Sequence, residues 1–154
     1  MISTGKALLS LTSAWSAVGS YVFDWNETHI HNPEWPAHAK FHNAQTMSTG
    51  AALGAAGLYA LWGHRGPWTR GRLQVGAAAA SLYWVTQLSA TLYPGTALFD
   101  HARSESGEQP PRFRGPQTII AGTALALNLL AYGLEGRRLA RPGTSKSGLT
   151  GGLG

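Results

Sequence analysis

Hydrophobic and polar positions segregate along this chain on a long scale. Residues 7–23, 41–63, 73–99 and 115–134 contain no Lys, Arg, Asp or Glu, and nearly every charge falls between those stretches. A bilayer core about 30 Å thick takes about 20 residues of helix at about 1.5 Å rise each, and every stretch supplies roughly that. Segments such as 51–61 and 76–82 offer no polar face at helical period, as a helix on the surface of a soluble domain would. The pattern predicts an all-α chain, a polytopic membrane four-helix bundle with spans at about 7–23, 44–63, 73–93 and 116–135. One domain then occupies 1–142. Residues 143–154 read GTSKSGLTGGLG, with no periodic apolar pattern, and are expected to form a flexible tail.

Composition sharpens this picture. Charged residues are 12% of the 154, against about 25% in soluble domains. Mean hydropathy is only −0.10, because Gly, Ser, Thr and polar connectors dilute the spans. The rival is therefore a soluble, Ala-rich four-helix bundle, which the lack of polar faces disfavours. Lys6 followed by the apolar run 7–20 has the outline of a signal peptide, but no A-x-A site follows, and the run is read as the first span. The absence of cysteine excludes disulfides, thiolate metal sites and cysteine nucleophiles. A net charge of +5 suggests nucleic acid at first sight. No basic helix interleaved with aromatics appears, so no nucleic-acid partner is expected.

The charges also orient the spans. The first connector holds Asp24, Glu27 and Glu34 against Lys40. The second holds Arg65, Arg70 and Arg72, and the tail holds Glu135 against Arg137, Arg138, Arg141 and Lys146. Acidic and basic residues balance in the third connector, 93–114. Lys and Arg retained inside place both termini and the second connector in the cytoplasm, with connectors one and three outside. Tyr21, Trp25 and Tyr93 then lie at outer ends of spans and Trp62, Trp68 and Tyr132 at inner ends, as interfacial anchors do. Trp15 and Trp84 lie within spans and read as packing residues rather than ligand contacts. Gly50, Gly54 and Gly57, with Ser13, Ser16 and Ser20 and the pair Gly76 and Ala80, form small faces where helices can approach closely. Asn128 and Gln87 must find partners inside the bundle and read foremost as structural hydrogen-bonders. The bilayer is the expected partner, and homo- or hetero-oligomers both fit.

Candidate chemistry gathers in the first connector, where 24–45 reads DWNETHIHNPEWPAHAKFHNAQ. Four of the six histidines and three of the seven acids fall there. Pro33 and Pro36 forbid a continuous helix, and Pro36 suits the first turn of the second span. His38 and His42 are then i, i+4 neighbours on one helical face, a spacing at which two imidazoles can share a metal. His29, His38 and His42 form a candidate ligand set for one Zn, Cu or Fe ion. The same residue types suit metal-free acid–base chemistry, with His29, His42 and Asp24 as the catalytic candidates. Trp25, Trp35, Asn32, Gln87 and His101 are the candidate ligand-binding residues, since connectors one and three are expected on one membrane face. His64, by the same topology, is an ordinary inner-face residue.

The string DWNETHIHNPEWPAHAKFH resembles a family of small bacterial and fungal four-span membrane proteins known only as a domain of unknown function. The resemblance is carried by Asp24, Asn26, Thr28, His29, Asn32, Pro33, Trp35, Pro36, His38, Ala39, Phe41 and His42. It implies the fold and topology and supplies no reaction. His31 stands at a position that the pattern leaves free. Some relatives carry an acetyltransferase label, but this chain has no acetyl-CoA-binding feature. Small membrane isomerases of the emopamil-binding class also set acids, histidines and tryptophans in a helical pocket for sterol-like substrates, an analogy of architecture alone.

Two functions remain open at this level. One is a membrane enzyme acting on a hydrophobic or lipid-like small molecule by acid–base or metal-assisted chemistry. The other is a non-catalytic accessory subunit, or a small-molecule binding or transport protein of the membrane.

Overall fold

The computed structural model of the chain describes residues 2–63, 65–98 and 115–141. His64, Asp100, His101, much of the third connector and the expected tail lie outside these residues. Four helices make up the fold: α1 (Thr4–Asp24), α2 (Ala37–Leu58), α3 (Arg70–Ala90) and α4 (Pro116–Ala140). No strand occurs among the described residues, so the expected all-helical bundle is what the chain forms. α1 packs most extensively on α2 and α3 on α4. Contacts α1–α4 and α2–α3 close the ring, and α1 also meets α3 across it.

Local chemistry sets the helix ends. Ser3 and Thr69 cap α1 and α3, their hydroxyl oxygens accepting from the backbone N–H of Lys6 and Arg72. Pro36 stands in extended conformation at the start of α2, and Pro116 opens α4, where a missing N–H costs nothing. α2 ends in a wider π-helical turn, Tyr59–Gly63. Its loosened backbone is tied down from α3. Arg72 donates from Nε and Nη2 to the Ala60 carbonyl at 3.2 and 3.0 Å, and from Nη1 to the Pro67 carbonyl at 3.2 Å.

Small residues allow the α1–α2 contact. A Cβ at Gly50 would lie 2.7 Å from the Ser16 carbonyl oxygen, one at Gly57 would meet the Ser13 hydroxyl at 2.5 Å, and one at Gly54 would run into the Ser13 carbonyl oxygen. Asn128 joins three helices: its Oδ1 accepts from Thr12 Oγ1, and its Nδ2 donates to Ala80 O at 2.9 Å and Ser81 Oγ at 3.1 Å. It is therefore the structural hydrogen-bonder that its position in the sequence demanded.

Polar side chains are buried beside the apolar core, and large apolar ones lie on the outside. Thr12, Ser13, Ser16, Ser20, Asn128 and Glu135 are buried, whereas Val18, Val22, Val75, Leu82, Ile119 and Leu129 are exposed. Apolar packing inside rests on two groups: Leu9, Leu61, Leu73, Ala80 and Ala131 at one end, and Tyr83, Trp84, Ala121 and Ala124 at the other. Trp84 packs within the bundle as expected. Trp15 packs instead on the outer face of α1, 39% exposed and edge-on to Phe23 at 6.0 Å. Its neighbours on the buried face of α1 are serines and glycine, which leave no room for an indole. Glu135 also departs from its reading as a tail charge, because α4 runs on to Ala140 and leaves the carboxylate only 1% exposed. By length and hydropathy, one described helix, Pro116–Ala140, is long and apolar enough to cross a membrane.

Candidate functional site

The site begins where α1 stops. Trp25 N donates to Tyr21 O to close the last turn, and Asn26 Nδ2 donates to the Phe23 carbonyl. Asn26 Oδ1 then accepts from Thr28 N at 2.9 Å and Thr28 Oγ1 at 2.7 Å, an Asx turn that reverses the chain. Asn32 Oδ1 accepts from Glu34 N at 2.9 Å, while Asn32 N donates to His29 O at 3.0 Å. Asn26, Thr28 and Asn32 thus hold the connector in shape. Asn32, expected to bind ligand, has its carbonyl oxygen engaged in the turn.

This scaffold turns His29 back toward α1. Its Nδ1 meets Thr28 Oγ1 at 2.8 Å and Asn26 Oδ1 at 3.4 Å, its Nε2 stands 3.9 Å from Asp24 Oδ1, and its ring lies against Trp35 with centroids 5.3 Å apart. From the other side, Asn43 Nδ2 on α2 donates to Asp24 Oδ2 at 3.0 Å. The Asp24 side chain is 19% exposed. Burial pushes its carboxyl above the usual carboxylate range, while the facing imidazole and the Asn43 bond pull the other way.

Two proton arrangements satisfy this geometry. In one, Thr28 Oγ1 donates to Asn26 Oδ1, His29 donates from Nδ1 to Thr28, and a protonated Asp24 faces a bare Nε2. In the other, Thr28 donates to Nδ1, and an Nε2–H faces an ionised Asp24. The first state holds one proton more than the second: in passing between them Asp24 gives up its proton to Nε2, the Nδ1 proton leaves the pair and the Thr28 hydroxyl rotates. A gap of 3.9 Å is too long for a direct hydrogen bond, so transfer needs a group in between, a water or a reacting molecule.

The other histidines stand apart. His38 and His42 lie exposed in the first turns of α2, with Nε2 atoms 3.1 Å apart and rings nearly perpendicular, and His42 Nδ1 is 3.3 Å from Gln45 Oε1. That contact requires one proton between the two nitrogens. The i, i+4 pairing is as the spacing predicts, but His29 does not join it. Among the described residues no group of three or more His, Asp or Glu side chains could hold a metal. The expected His29–His38–His42 set for Zn, Cu or Fe is not assembled, because Thr28 and Asn26 fix His29 toward Asp24 while His38 and His42 face outward.

Of the remaining candidates, Trp35 is half-buried against His29, whereas Trp25 is exposed and contacts Tyr21 and His31. Gln87 is half-buried on α3, and its Oε1 is buried without a partner among the described residues. His101 lies outside them. Asn43 is the site residue that the sequence reading missed. A signal was present: Asn43 precedes Met47, Gly50, Gly54 and Gly57 at alternating steps of four and three, which puts it on the same face of α2 as they are.

Residues 8–145 match a family described as a family of unknown function (DUF6640), and the chain belongs to that family. No curated protein and no solved structure matches it.

Proposed function

We propose that this DUF6640 member is an integral membrane protein of four spans, about 7–23, 44–63, 73–93 and 116–135, whose Asp24–His29 pair performs acid–base chemistry on a hydrophobic small molecule. Apolar side chains exposed along the helices, with hydroxyls and the Asn128 carboxamide buried beside the apolar core, support the four spans. Charge asymmetry orients it, with both termini and the Arg-rich second connector cytoplasmic and the first connector outside.

The enzymatic reading is carried by one observation: a largely buried carboxylate facing an imidazole whose far nitrogen is held by a rotatable hydroxyl. Asp24 holds or releases the proton, His29 Nε2 is its counterpart, and the group between them is the substrate atom that gains or loses it. Asn43 and Thr28 position the pair, and Trp35 walls it. A second reading, a non-catalytic accessory or binding protein, draws on the way Asn26, Thr28 and Asn32 engage the connector's own backbone, as a purely structural loop would.

An untargeted comparison of membrane extracts tests the choice. Cells expressing the wild-type chain, Asp24→Asn and His29→Gln at matched levels are analysed for lipids and other hydrophobic metabolites. Asp24→Asn keeps the acceptor for Asn43, so the fold is retained. The enzymatic reading predicts species consumed and formed with the wild type alone. Identical profiles from all three folded chains favour the second reading.

A further inference from the structure

The end of the bundle opposite Asp24 carries a second concentration of charge. Lys6 on α1, Trp62 on the π turn, Trp68 and Arg72 at the start of α3, and Glu135 and Arg138 near the end of α4 meet there. Lys6 Nζ lies 3.7 Å from the Trp62 ring centroid and 4.7 Å from that of Trp68, and the Arg72 guanidinium lies 5.5 Å from the Trp68 ring. Trp62 Nε1 donates to Ser10 Oγ at 2.8 Å, and Trp68 Nε1 to Glu135 Oε2 at 3.0 Å, so both indoles are fixed. The one carboxylate is already occupied, by Trp68 and by Arg138 at 3.6 Å.

Two cations are left without a counterion. Among the described residues neither Lys6 nor Arg72 has a carboxylate within ion-pair distance. The bonds from Arg72 to the Ala60 and Pro67 carbonyls satisfy N–H groups but cancel no charge, and each terminal nitrogen keeps a donor free. Burial, reinforced by Arg72 and Arg138 and offset in part by Glu135, lowers the Lys6 pKa. An anion seated here would relieve that.

We propose that Lys6 and Arg72, walled by Trp62 and Trp68, bind the phosphate of an anionic phospholipid headgroup at the cytoplasmic face. This rests on the four-span reading given above. A phosphodiester offers one negative charge and several acceptor oxygens, matched to an ammonium point charge and two guanidinium edges. Fixed indoles at the inner ends of spans sit at headgroup depth. Arg65, Arg70, Arg137 and Arg141 surround the same end, whereas the opposite connector is acidic, so the site faces the leaflet that anionic lipid enriches.

Thermal unfolding in nanodiscs tests the site. The full chain is placed in discs of pure phosphatidylglycerol and of pure phosphatidylcholine, as wild type, Lys6→Gln, Lys6→Gln/Arg72→Gln and Arg141→Gln. Taking the difference between lipids for each variant removes any effect of the substitution on the fold itself. The wild type should melt about 4–8 °C higher in phosphatidylglycerol. That gap should narrow in Lys6→Gln, vanish in the double variant and persist in Arg141→Gln. An equal loss in Arg141→Gln would show diffuse attraction and overturn the site, as would the same stabilisation by inorganic phosphate added to phosphatidylcholine discs. An inserted chain with no difference between lipids overturns this site alone, whereas a chain that enters neither disc overturns the four-span reading with it.

Discussion

Asn43 Nδ2, in the second turn of α2, donates to Asp24 Oδ2 at the end of α1 across 3.0 Å. This bond joins the two ends of the histidine-rich connector and fixes one carboxylate oxygen, leaving the other turned toward His29. Asn43→Ala would leave a half-buried carboxylate short of a donor and should destabilise the bundle by about 1–3 kcal/mol. Asn43→Asp would set a second carboxyl beside the first and should cost more at neutral pH than at acid pH, since like charges resist joint ionisation. Detergent-solubilised unfolding across pH reads both.

Asp24 also gives a pH dependence with a definite sign. Burial, outweighing the imidazole and the Asn43 bond, raises its folded-state pKa above the ordinary aspartate value of 3.8. Between those two values the folded chain binds more protons than the unfolded one, so stability falls as pH rises through that window. The Asp24 contribution is fully present below 3.8 and lost above the raised value. Subtracting the profile of Asp24→Asn from that of the wild type should isolate this slope. A difference that rises with pH would contradict the burial argument.

Close approach of α1 and α2 makes glycines unequal. A Cβ at Gly54 would collide with the Ser13 carbonyl oxygen and lie 2.7 Å from Ala17 Cβ, whereas one at Gly122 meets nothing within 4 Å. Gly54→Ala should cost at least about 1–3 kcal/mol, because backbone must move. Gly122→Ala should gain up to about 1 kcal/mol from helix propensity. Thermal melts of the two variants check the contrast, and equal shifts would argue against the α1–α2 packing.

Asn128 links α1, α3 and α4 through Thr12, Ala80 and Ser81. Asn128→Ala should destabilise by about 1–2 kcal/mol. Thr12→Val, which removes one of these bonds at similar volume, should cost less. A double variant no worse than Asn128→Ala alone would confirm that Thr12 acts through Asn128.

What was legible in the sequence divides along physical lines. The helices announce themselves because charge-free stretches, Pro36 and Pro116 act through composition and backbone constraint alone. The His38–His42 pair is likewise a matter of helical spacing. The Asp24–His29 geometry is not, because it depends on an Asx turn at Asn26 whose hydrogen bonds decide which way the imidazole points. Asn43 was hidden beside three showier histidines, although its place on the small-residue face marked it as inward. Glu135 was misread because a charge just past an apolar run looks like an interfacial residue. Its burial depends on Trp68 and on the gap at Gly5, where a Cβ would lie 2.6 Å from Glu135 Cγ. The π turn that Arg72 ties down has no sequence signature.

The claim beneath all of this is that the bundle spans a bilayer and shows its Asp24–His29 end to the outside. The chain has no cysteine, so single cysteines can be read without a background. Glu27→Cys beside the pair, Leu82→Cys on α3, where the leucine is 48% exposed, and Arg70→Cys at the opposite end would be treated with a membrane-impermeant maleimide, in intact and then in opened cells. The account predicts that Glu27→Cys labels in intact cells, that Arg70→Cys labels only once the membrane is opened, and that Leu82→Cys resists in both. Labelling of Leu82→Cys in opened cells as fast as Arg70→Cys, with the chain still folded, would contradict it.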